Sequence, residues 1–359
     1  FTGLTAAYEF AKRAKEGQRL LLLENHPIPG GEAKQNEIDV DGIRVVGPQG
    51  SNGAAKVSAA LDGTPYETYA DYFRELDIPL DYDLQPLGGG AEKLELPNEH
   101  FDSMFPTSLA PLNYYFGSGK WAANPARQGF RNTPWPANEQ RDLDDFVHNR
   151  RDLISNVAEP DRWLDSMSYA ELLTKLGFGE RVIDFVDPYL AVGLFGVSSE
   201  AVSAKAVSIV GLSGTKPSDA PPNRGGIHAI SFPGGNAGIY RAMLRKLVPQ
   251  TFAPNASIDQ LMVTGPANLG ALDRPGNRVR IRCGSTAVRV EHEGNPKTAG
   301  QVIVSYVRDG KTHRVRGKSV VVAAGGWVAR RLVRDLSPEF AQAFSTLRYG
   351  PVLVVNVAV

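Results

Sequence analysis

Cysteine, long apolar runs and an excess of either charge are what this sequence lacks. The single Cys283 cannot form an intrachain disulfide, which excludes a disulfide-stapled scaffold. No apolar run approaches the ~20 residues of a membrane-spanning helix. Basic and acidic residues number 39 each, so no net field attracts nucleic acid. Cys and His also lack the spacing of metal ligands, and we expect a globular protein that binds neither nucleic acid nor metal.

The length of the chain predicts more than one structural unit. A chain of 359 residues exceeds what a single hydrophobic core normally serves. Two domains, or one domain with a large insertion, are therefore expected.

The first two dozen residues have the pattern of the second half of a dinucleotide-binding βαβ unit. A helix is predicted over Thr5–Lys15 and a strand over Leu20–Leu23, with Gly3 before the helix and Glu24 after the strand. In such a unit the helix N-terminus faces a pyrophosphate, and an acid roughly 20 residues on binds the ribose hydroxyls. Close helix–strand packing would leave no room for a side chain at Gly3. We expect the first strand and the first two glycines to precede Phe1; an ordinary helix–strand pair is the alternative.

Several glycine-bearing loops follow predicted strands, where ligands lie in an open α/β sheet. The pair Gly30-Gly31 comes first, and a predicted hairpin around Asp41-Gly42 leads to a second loop at residues 47–52. Gly234-Gly235 precedes a predicted helix over Ala237–Val248, and a predicted buried strand over Val320–Ala324 ends at Gly325-Gly326 before a helix over Ala329–Leu336. An ordinary tight turn is the alternative at each loop.

Between about residues 62 and 220 the strand–helix alternation is absent, which predicts an inserted cap over a ligand. Helices are predicted over Thr68–Leu76 and Asp142–Leu153, and Ser168 with Glu171 forms a capping box. The irregular segments carry several aromatic side chains that we expect to be mostly core, with a substrate pocket as the alternative: Tyr114, Tyr115, Phe116, Trp121 and Trp135. After residue 277 the pattern becomes β-rich, with strands at 278–282 and 287–290 and a hairpin turn at Asp309-Gly310.

The chain resembles the FAD-dependent amine oxidoreductases of the spermidine dehydrogenase-like group, within the glutathione-reductase-like flavoprotein superfamily. The matching stretches are Thr2-Gly3-Leu4, Leu22 to His26, Gly30 to Glu37, Phe232 to Ala237, Ala271 to Pro275, Ser285 to Val290, and Gly350 to Leu353 with Asn356-Val357.

The resemblance implies an α/β fold: a Rossmann-like FAD-binding domain of the amine-oxidase type, with a large, mainly helical and irregular inserted cap. Residues 1–61 and 225–359 would form the FAD-binding domain and residues 62–224 the substrate-binding cap. The N- and C-terminal parts of the family fold are expected to lie outside this chain.

The resemblance also implies where FAD would lie. Gly3 would be at the pyrophosphate, Glu24 on the ribose, and Val288 would offer its backbone to the adenine. The full implied cofactor-binding set is Thr2, Gly3, Leu4, Glu24, Asn25, Gly30, Gly31, Glu32, Ala33, Lys34, Gly47, Pro48, Gln49, Gly50, Val288, Ala324, Gly325 and Gly326.

The function that follows from the resemblance is an FAD-dependent oxidoreductase that dehydrogenates or oxidises an amine by hydride transfer to flavin. The alternatives are another flavoprotein (a desaturase, isomerase or hydroxylase) or a non-catalytic FAD-binding subunit of a larger assembly. His228, Gln49 and Tyr349 are weak catalytic candidates. Glu32, Gln35 and Gly234 depart from the family pattern, so the substrate need not be a polyamine.

The expected partners are a small-molecule substrate and, since the chain looks incomplete, a redox or structural subunit. A haem, which some members of the family carry, has no assignable segment in this sequence. The resemblance implies a soluble protein of the bacterial periplasm, with the cytoplasm as the alternative.

Overall fold

A computed structural model describes residues 1–48, 53–57, 67–78, 113–208, 211–219, 227–231, 236–257, 260–261, 265–347, 349, 353 and 355. The helices of these residues are α1 Thr2–Arg13, α2 Glu67–Glu75, α3 Ala137–Val147, α4 Pro160–Asp165, α5 Tyr169–Lys175, α6 Glu180–Pro188, α7 Ala204–Ser208, α8 Asn236–Leu247, α9 Gly326–Leu332 and α10 Pro338–Thr346. The strands are β1 Leu20–Leu23, β2 Gln35–Val40, β3 Ile43–Pro48, β4 Gly53–Val57, β5 Asn113–Tyr115, β6 Trp121–Ala123, β7 Ile227–Ser231, β8 Val279–Arg282, β9 Thr286–His292, β10 Val302–Arg308 and β11 Lys311–Gly317. No helix in these segments is long and apolar enough to cross a bilayer.

Strands β1 and β8 form a parallel pair, with Leu20 opposite Val279 and Leu23 opposite Arg282. Val279 and Ile281 are buried on one face of β8, in a first core built with α1, α2 and α8. Parallel pairing of strands so distant in sequence is typical of α/β architecture. Within the described segments this pair is the only parallel sheet, and the larger sheet of a Rossmann-like domain is not formed among them.

The opposite face of β8 carries arginines that connect it to the antiparallel sheet β9–β10–β11. Asp273 accepts hydrogen bonds from Nε of Arg280 and Nε of Arg282, each at 2.8 Å, and Arg308 lies 3.3 Å from the same carboxylate. Burial alone would raise the pKa of Asp273, but the neighbouring Arg282 and Arg280 outweigh it and the pKa is lowered. Opposite charges on two elements thus hold the sheet against β8.

Helices α3 to α7 enclose a second core, whose largest fully buried side chains include Tyr169, Phe146 and Leu172. The predicted capping box opens α5: the Ser168 hydroxyl accepts from the Glu171 amide, and the Glu171 carboxylate accepts from the Ser168 amide at 2.9 Å. Helix α2 packs in the first core instead, through Phe73 and Leu76. Residues 67–78 therefore join the first core, although the predicted boundary at 61 assigns them to the cap.

The predicted hairpins are confirmed by their backbone geometry. Asp41 and Gly42 have φ of 53° and 79° between β2 and β3, and Asp309 and Gly310 have φ of 50° and 70° between β10 and β11. Positive φ at both central residues matches the strand twist of a two-residue hairpin. The predicted loop at 47–52 is wrong at its start, because Gly47 and Pro48 pair with β2 as part of β3.

Three predicted helices have bounds that differ by two residues or more in the structure. The helix predicted over Thr5–Lys15 begins at Thr2 and ends at Arg13. The helix predicted over 142–153 begins at Ala137 and ends at Val147, because Asn149 adopts a left-handed conformation with φ of 51°. The helix predicted over 329–336 begins at Gly326 and ends at Leu332. Val333 is extended and forms a bridge with Val290, which ends α9.

The buried strand predicted over Val320–Ala324 is not formed. Val320 and Val321 are exposed, Val321 by 69%, and the segment pairs with no strand in the described part of the chain. A strand is stabilised by its neighbours, and this apolar segment has no strand partner among the described residues. Of the strand predicted over 352–359, Leu353 and Val355 carry no strand pairing and the rest lies outside the described residues.

Candidate functional site

The N-terminus of α1 presents backbone amides that its own helix does not use. Phe1 is the N-cap and makes no side-chain hydrogen bond to the helix, and the first turn contains no acidic residue. The Thr5 amide donates to the Phe1 carbonyl at 2.9 Å. The amides of Thr2, Gly3 and Leu4 precede the first hydrogen-bonded turn and have no helical acceptor. They carry the positive end of the helix dipole, which attracts an anion.

Gly3 lies where α1, β1 and the segment after β11 meet. A methyl group built on Gly3 would lie 3.4 Å from Cδ1 of Leu22 and 3.5 Å from Cβ of Ala323. These are ordinary van der Waals distances, so the prediction that packing leaves no room for a side chain at Gly3 is wrong. At Gly3 the N-terminus of α1 lies close to Leu22 in β1 and to Ala323 in the 320–325 segment.

Glu24 follows β1 at the same edge, and its side chain is only 18% exposed. Its Oε1 accepts from the His26 amide at 2.9 Å, and Nδ1 of His26 lies 3.2 Å from the same oxygen. The Glu24 carbonyl accepts from the Ser285 amide at 2.8 Å, which ties the end of β1 to the turn after β8. Within the described segments, Oε2 of Glu24 has no hydrogen-bond partner and can accept from a ligand hydroxyl.

Val288 is the extra residue of a β-bulge in β9. Arg289 pairs with Ser305 and Ala287 pairs with Tyr306, which leaves Val288 without a cross-strand partner. Its side chain is 46% exposed. A bulge residue has backbone groups outside the ladder, and this one lies three residues after Ser285. The expected backbone contact to an adenine at Val288 is therefore compatible with the geometry.

The loop at Gly30 is constrained by packing. Gly30 has φ of 129°, and a methyl group there would lie 2.9 Å from Cε1 of Tyr240 and 3.0 Å from Cα of Lys34. The carbonyls of Gly30 and Gly31 accept from the amides of Ala33 and Lys34 in a 3₁₀ turn. Space is open beside Gly31, while Asn25 and Glu32 are exposed.

Gly325 and Gly326 begin α9, and one of their amides is already engaged. The Gly326 amide donates to the Tyr349 hydroxyl at 2.9 Å. A methyl group on Gly326 would lie 2.7 Å from Cδ1 of Leu347 and 2.9 Å from Cδ1 of Phe344, so side-chain packing explains this glycine. Tyr349 thus caps α9. Ala324 is exposed beside this turn.

The other catalytic candidates are not brought to this edge by any described contact. His228 lies in β7 opposite Lys56 of β4. Gln49 and Gly50 lie outside the described residues, as do Phe232 to Gly235. Cys283 follows β8 and is partly buried in the first core. Burial, with a smaller contribution from Glu24, raises the pKa of its thiol to about 11, so it is a protonated core residue rather than a nucleophile.

The aromatic residues between positions 114 and 135 divide into two groups. Tyr114 and Trp135 line a cavity of about 350 Å³, together with residues of α6. Tyr115 and Trp121 are 56% and 65% exposed, and their rings pack on each other at 4.8 Å. Phe116 meets Trp135 edge to face at 5.3 Å. In the segments searched for metal sites, no group of three His, Cys, Asp or Glu side chains converges.

Comparison with known proteins gives matches among solved structures. No family model and no curated protein matches the chain. Among solved structures the chain is similar to wild-type putrescine oxidase bound to putrescine, from a structure-based redesign of cofactor binding in that enzyme. The sequences are 13% identical and the TM-score is 0.49. The similarity covers 96% of this chain and 60% of that structure's chain, so this chain spans less than two thirds of its neighbour's length.

Proposed function

We propose that the chain binds FAD at the carboxyl edge of β1 and β8 and acts as an FAD-dependent oxidoreductase on an amine. The observation that carries the proposal is that three groups of matching chemistry belong to elements connected at one edge. They are the amides that begin α1, Oε2 of Glu24, which has no hydrogen-bond partner within the described segments, and the backbone of Val288, which has no cross-strand partner in the β9–β10 ladder.

These groups have the chemistry of an adenosine diphosphate site. The α1 amides would donate to the pyrophosphate, where the helix dipole and the absence of an acidic residue in the first turn favour an anion. Oε2 of Glu24 would accept from a ribose hydroxyl, while Oε1 stays on the His26 amide and fixes the carboxylate. Val288 would hydrogen-bond an adenine edge through its backbone.

Bound FAD would supply the hydride acceptor that the side chains of the protein lack. The chain would hold FAD through the three groups above, and the inserted segment, residues 62–224, would orient the substrate and exclude water. An amine substrate, and membership of the spermidine dehydrogenase-like group, rest on the residue matches in both terminal parts of the sequence. We assign no catalytic base. A redox or structural partner subunit, and a soluble periplasmic location, belong to the same proposal.

The test is the absorbance of the purified chain, followed by anaerobic addition of an alkylamine. A bound yellow cofactor that is released as FAD and bleaches with the amine is the expected result. Bleaching by NAD(P)H but not by any amine would replace the amine oxidoreductase with a hydroxylase-type flavoprotein. A chain that neither carries flavin nor takes it up from solution would overturn the proposal.

A further inference from the structure

A second cavity, of about 490 Å³, lies between α9 and the end of α10. Its volume falls in the range of roughly 300–1,000 Å³ that small-molecule sites occupy, so it has room for a ligand with one or two rings. It shares no residue with the cavity that Tyr114 and Trp135 line. The lining of this α9–α10 cavity combines two cations, two aromatic rings and two smaller side chains: Trp327, Arg330, Arg331, Phe344, Ser345 and Leu347.

The charge in the lining of the α9–α10 cavity is positive. Arg330 and Arg331 bring two guanidinium groups, and the lining contains no carboxylate. Within the described segments neither arginine forms an ion pair, and Nη1 of Arg331 donates only to the Trp327 carbonyl, at 3.4 Å. Guanidinium groups bind carboxylates and phosphates through paired hydrogen bonds. The arginine pair therefore favours an anionic ligand.

The acidic residues nearest in sequence to the arginine pair are engaged elsewhere. Oδ2 of Asp335 accepts from the His292 amide at 2.9 Å, and Nδ1 of the same histidine lies against that oxygen. Glu339 lies in the first turn of α10, where a hydrogen bond from Ser337 lowers the pKa of its carboxyl. The cavity is lined by the last turn of α10 instead. Neither acid is in the lining, so the arginine pair can bind a ligand.

An indole ring lies beside the two cations. Trp327 is 50% exposed, and the guanidinium carbon of Arg331 lies over its ring at 5.4 Å. Phe344 adds a second ring to the lining and packs on Phe340 at 6.3 Å. A half-exposed tryptophan offers a flat apolar face to another ring. The cavity thus places a flat apolar face next to a positively charged group.

We propose that the α9–α10 cavity binds an aromatic anion, a carboxylate or phosphate group attached to a flat ring. The anionic group would pair with Arg330 and Arg331, and the ring would lie against Trp327 and Phe344. The site uses none of the three groups that would hold FAD. Arginines in the last turn of a helix also interact with its dipole, and the experiment below separates that effect from ligand binding.

The experiment is calorimetric titration of the full chain with phenyl phosphate and benzoate as aromatic anions. Benzyl alcohol supplies the ring without the charge, and inorganic phosphate supplies the charge without the ring. We expect saturable binding of at least one aromatic anion, and the tighter of the two identifies the anionic group. Binding of benzyl alcohol or inorganic phosphate within tenfold of the tighter aromatic anion would overturn the proposal, as would no saturation by either aromatic anion up to roughly 10 mM.

Substitution of Arg330 tests the cationic anchor. Arg330→Gln is expected to weaken binding of the tighter aromatic anion about fivefold, which corresponds to ~1 kcal/mol, without changing binding of benzyl alcohol. Arg334→Gln is the matched control, because Arg334 is an exposed arginine two residues after α9 that lies outside the lining. Equal loss in the two variants would overturn the anchor. A lower melting temperature of Arg330→Gln with unchanged affinity would also overturn it, because the arginine would then act on the helix dipole alone.

Substitution of Trp327 tests the ring contact. Trp327→Ala should weaken binding of the aromatic anion at least threefold and leave inorganic phosphate unaffected. Trp121→Ala is the matched control, since Trp121 is 65% exposed and lies outside the α9–α10 cavity. Affinity for the aromatic anion that is the same in both variants would contradict the ring contact.

Glu24→Ala separates this site from the FAD site proposed above. A chain that takes up no flavin should still bind the aromatic anion, so the two proposals can fail independently. The expected result is an affinity for the aromatic anion that is equal in Glu24→Ala and in the unsubstituted chain. Loss of binding in Glu24→Ala, with none in Arg330→Gln, would overturn the proposal, because the anion would then lie where FAD is expected to bind.

Discussion

Glu24 gives the sharpest prediction, because its two carboxylate oxygens differ in the hydrogen bonds that they accept. Oε1 accepts from the His26 amide at 2.9 Å and holds the loop after β1, whereas Oε2 is free among the described residues. Glu24→Ala removes both acceptors. A hydrogen bond to a charged acceptor contributes ~1.5–3 kcal/mol, so we expect FAD binding to weaken about 10- to 150-fold.

Glu24→Gln separates the charge from the shape of the side chain. The amide oxygen can still accept from the His26 amide, so the loop should remain in place. Neutral hydrogen bonds are roughly half as strong as charge-assisted ones, and we expect FAD affinity to fall about 4- to 12-fold. Glu16→Gln is the matched control, since Glu16 is an exposed acid between α1 and β1.

The assay is quenching of FAD fluorescence on titration with protein, with thermal denaturation of the flavin-free variants measured in parallel. The expected order of affinity is Glu16→Gln equal to the unsubstituted chain, then Glu24→Gln, then Glu24→Ala. Affinity for FAD that stays within about twofold in Glu24→Ala would refute the ribose assignment. A loss of affinity that is matched by unfolding of the flavin-free variant would instead assign Glu24 to the loop alone.

Three further predictions concern the fold around the sites. Gly30→Ala should lower the free energy of unfolding by ~1–3 kcal/mol, because Gly30 has a positive φ and the added methyl group would meet the Tyr240 ring. Gly3→Ala should change the free energy of unfolding by less than ~1 kcal/mol. Urea denaturation measures both, and equal effects would contradict the packing argument. The pKa of Asp273 is lower in the folded than in the unfolded protein, so its carboxylate stabilises the fold above the unfolded pKa of ~3.9, and this stabilisation is lost as pH falls through the folded pKa. Asp273→Asn should therefore lose stability less steeply below ~pH 4 in acid titrations followed by circular dichroism. An unchanged slope would count against the arginine cluster. Ser168→Ala should cost ~1 kcal/mol in thermal denaturation because it removes the N-cap of α5, and no change in melting temperature would contradict the cap.

Local patterns predicted local structure well where the physical cause is also local. The hairpins at Asp41-Gly42 and Asp309-Gly310 follow from turn residues that accept positive φ. The Ser168 cap follows from the spacing of its partner Glu171. The N-terminal pattern likewise predicted α1, β1 and a carboxylate at the end of β1.

Features that depend on distant parts of the chain were not predictable in this way. Val320–Ala324 has the composition of a buried strand, but burial requires a neighbouring strand, which the described residues do not supply. The pairing of β1 with β8 joins segments more than 250 residues apart and has no local signal. The sequence predicted only part of the aromatic cavity. Tyr114 and Trp135 were candidates for a pocket, whereas Phe185 and Asp184 belong to α6 and join the cavity only because α6 packs beside β5.

The most direct test of the account is a comparison of FAD, ADP and FMN as ligands of the purified chain by calorimetry. In the proposed function the α1 amides, Glu24 and Val288 would hold the adenosine diphosphate part of FAD, so we predict saturable binding of FAD and of ADP, and weaker or no binding of FMN. Binding of FMN as tight as that of FAD, with no binding of ADP, would contradict it.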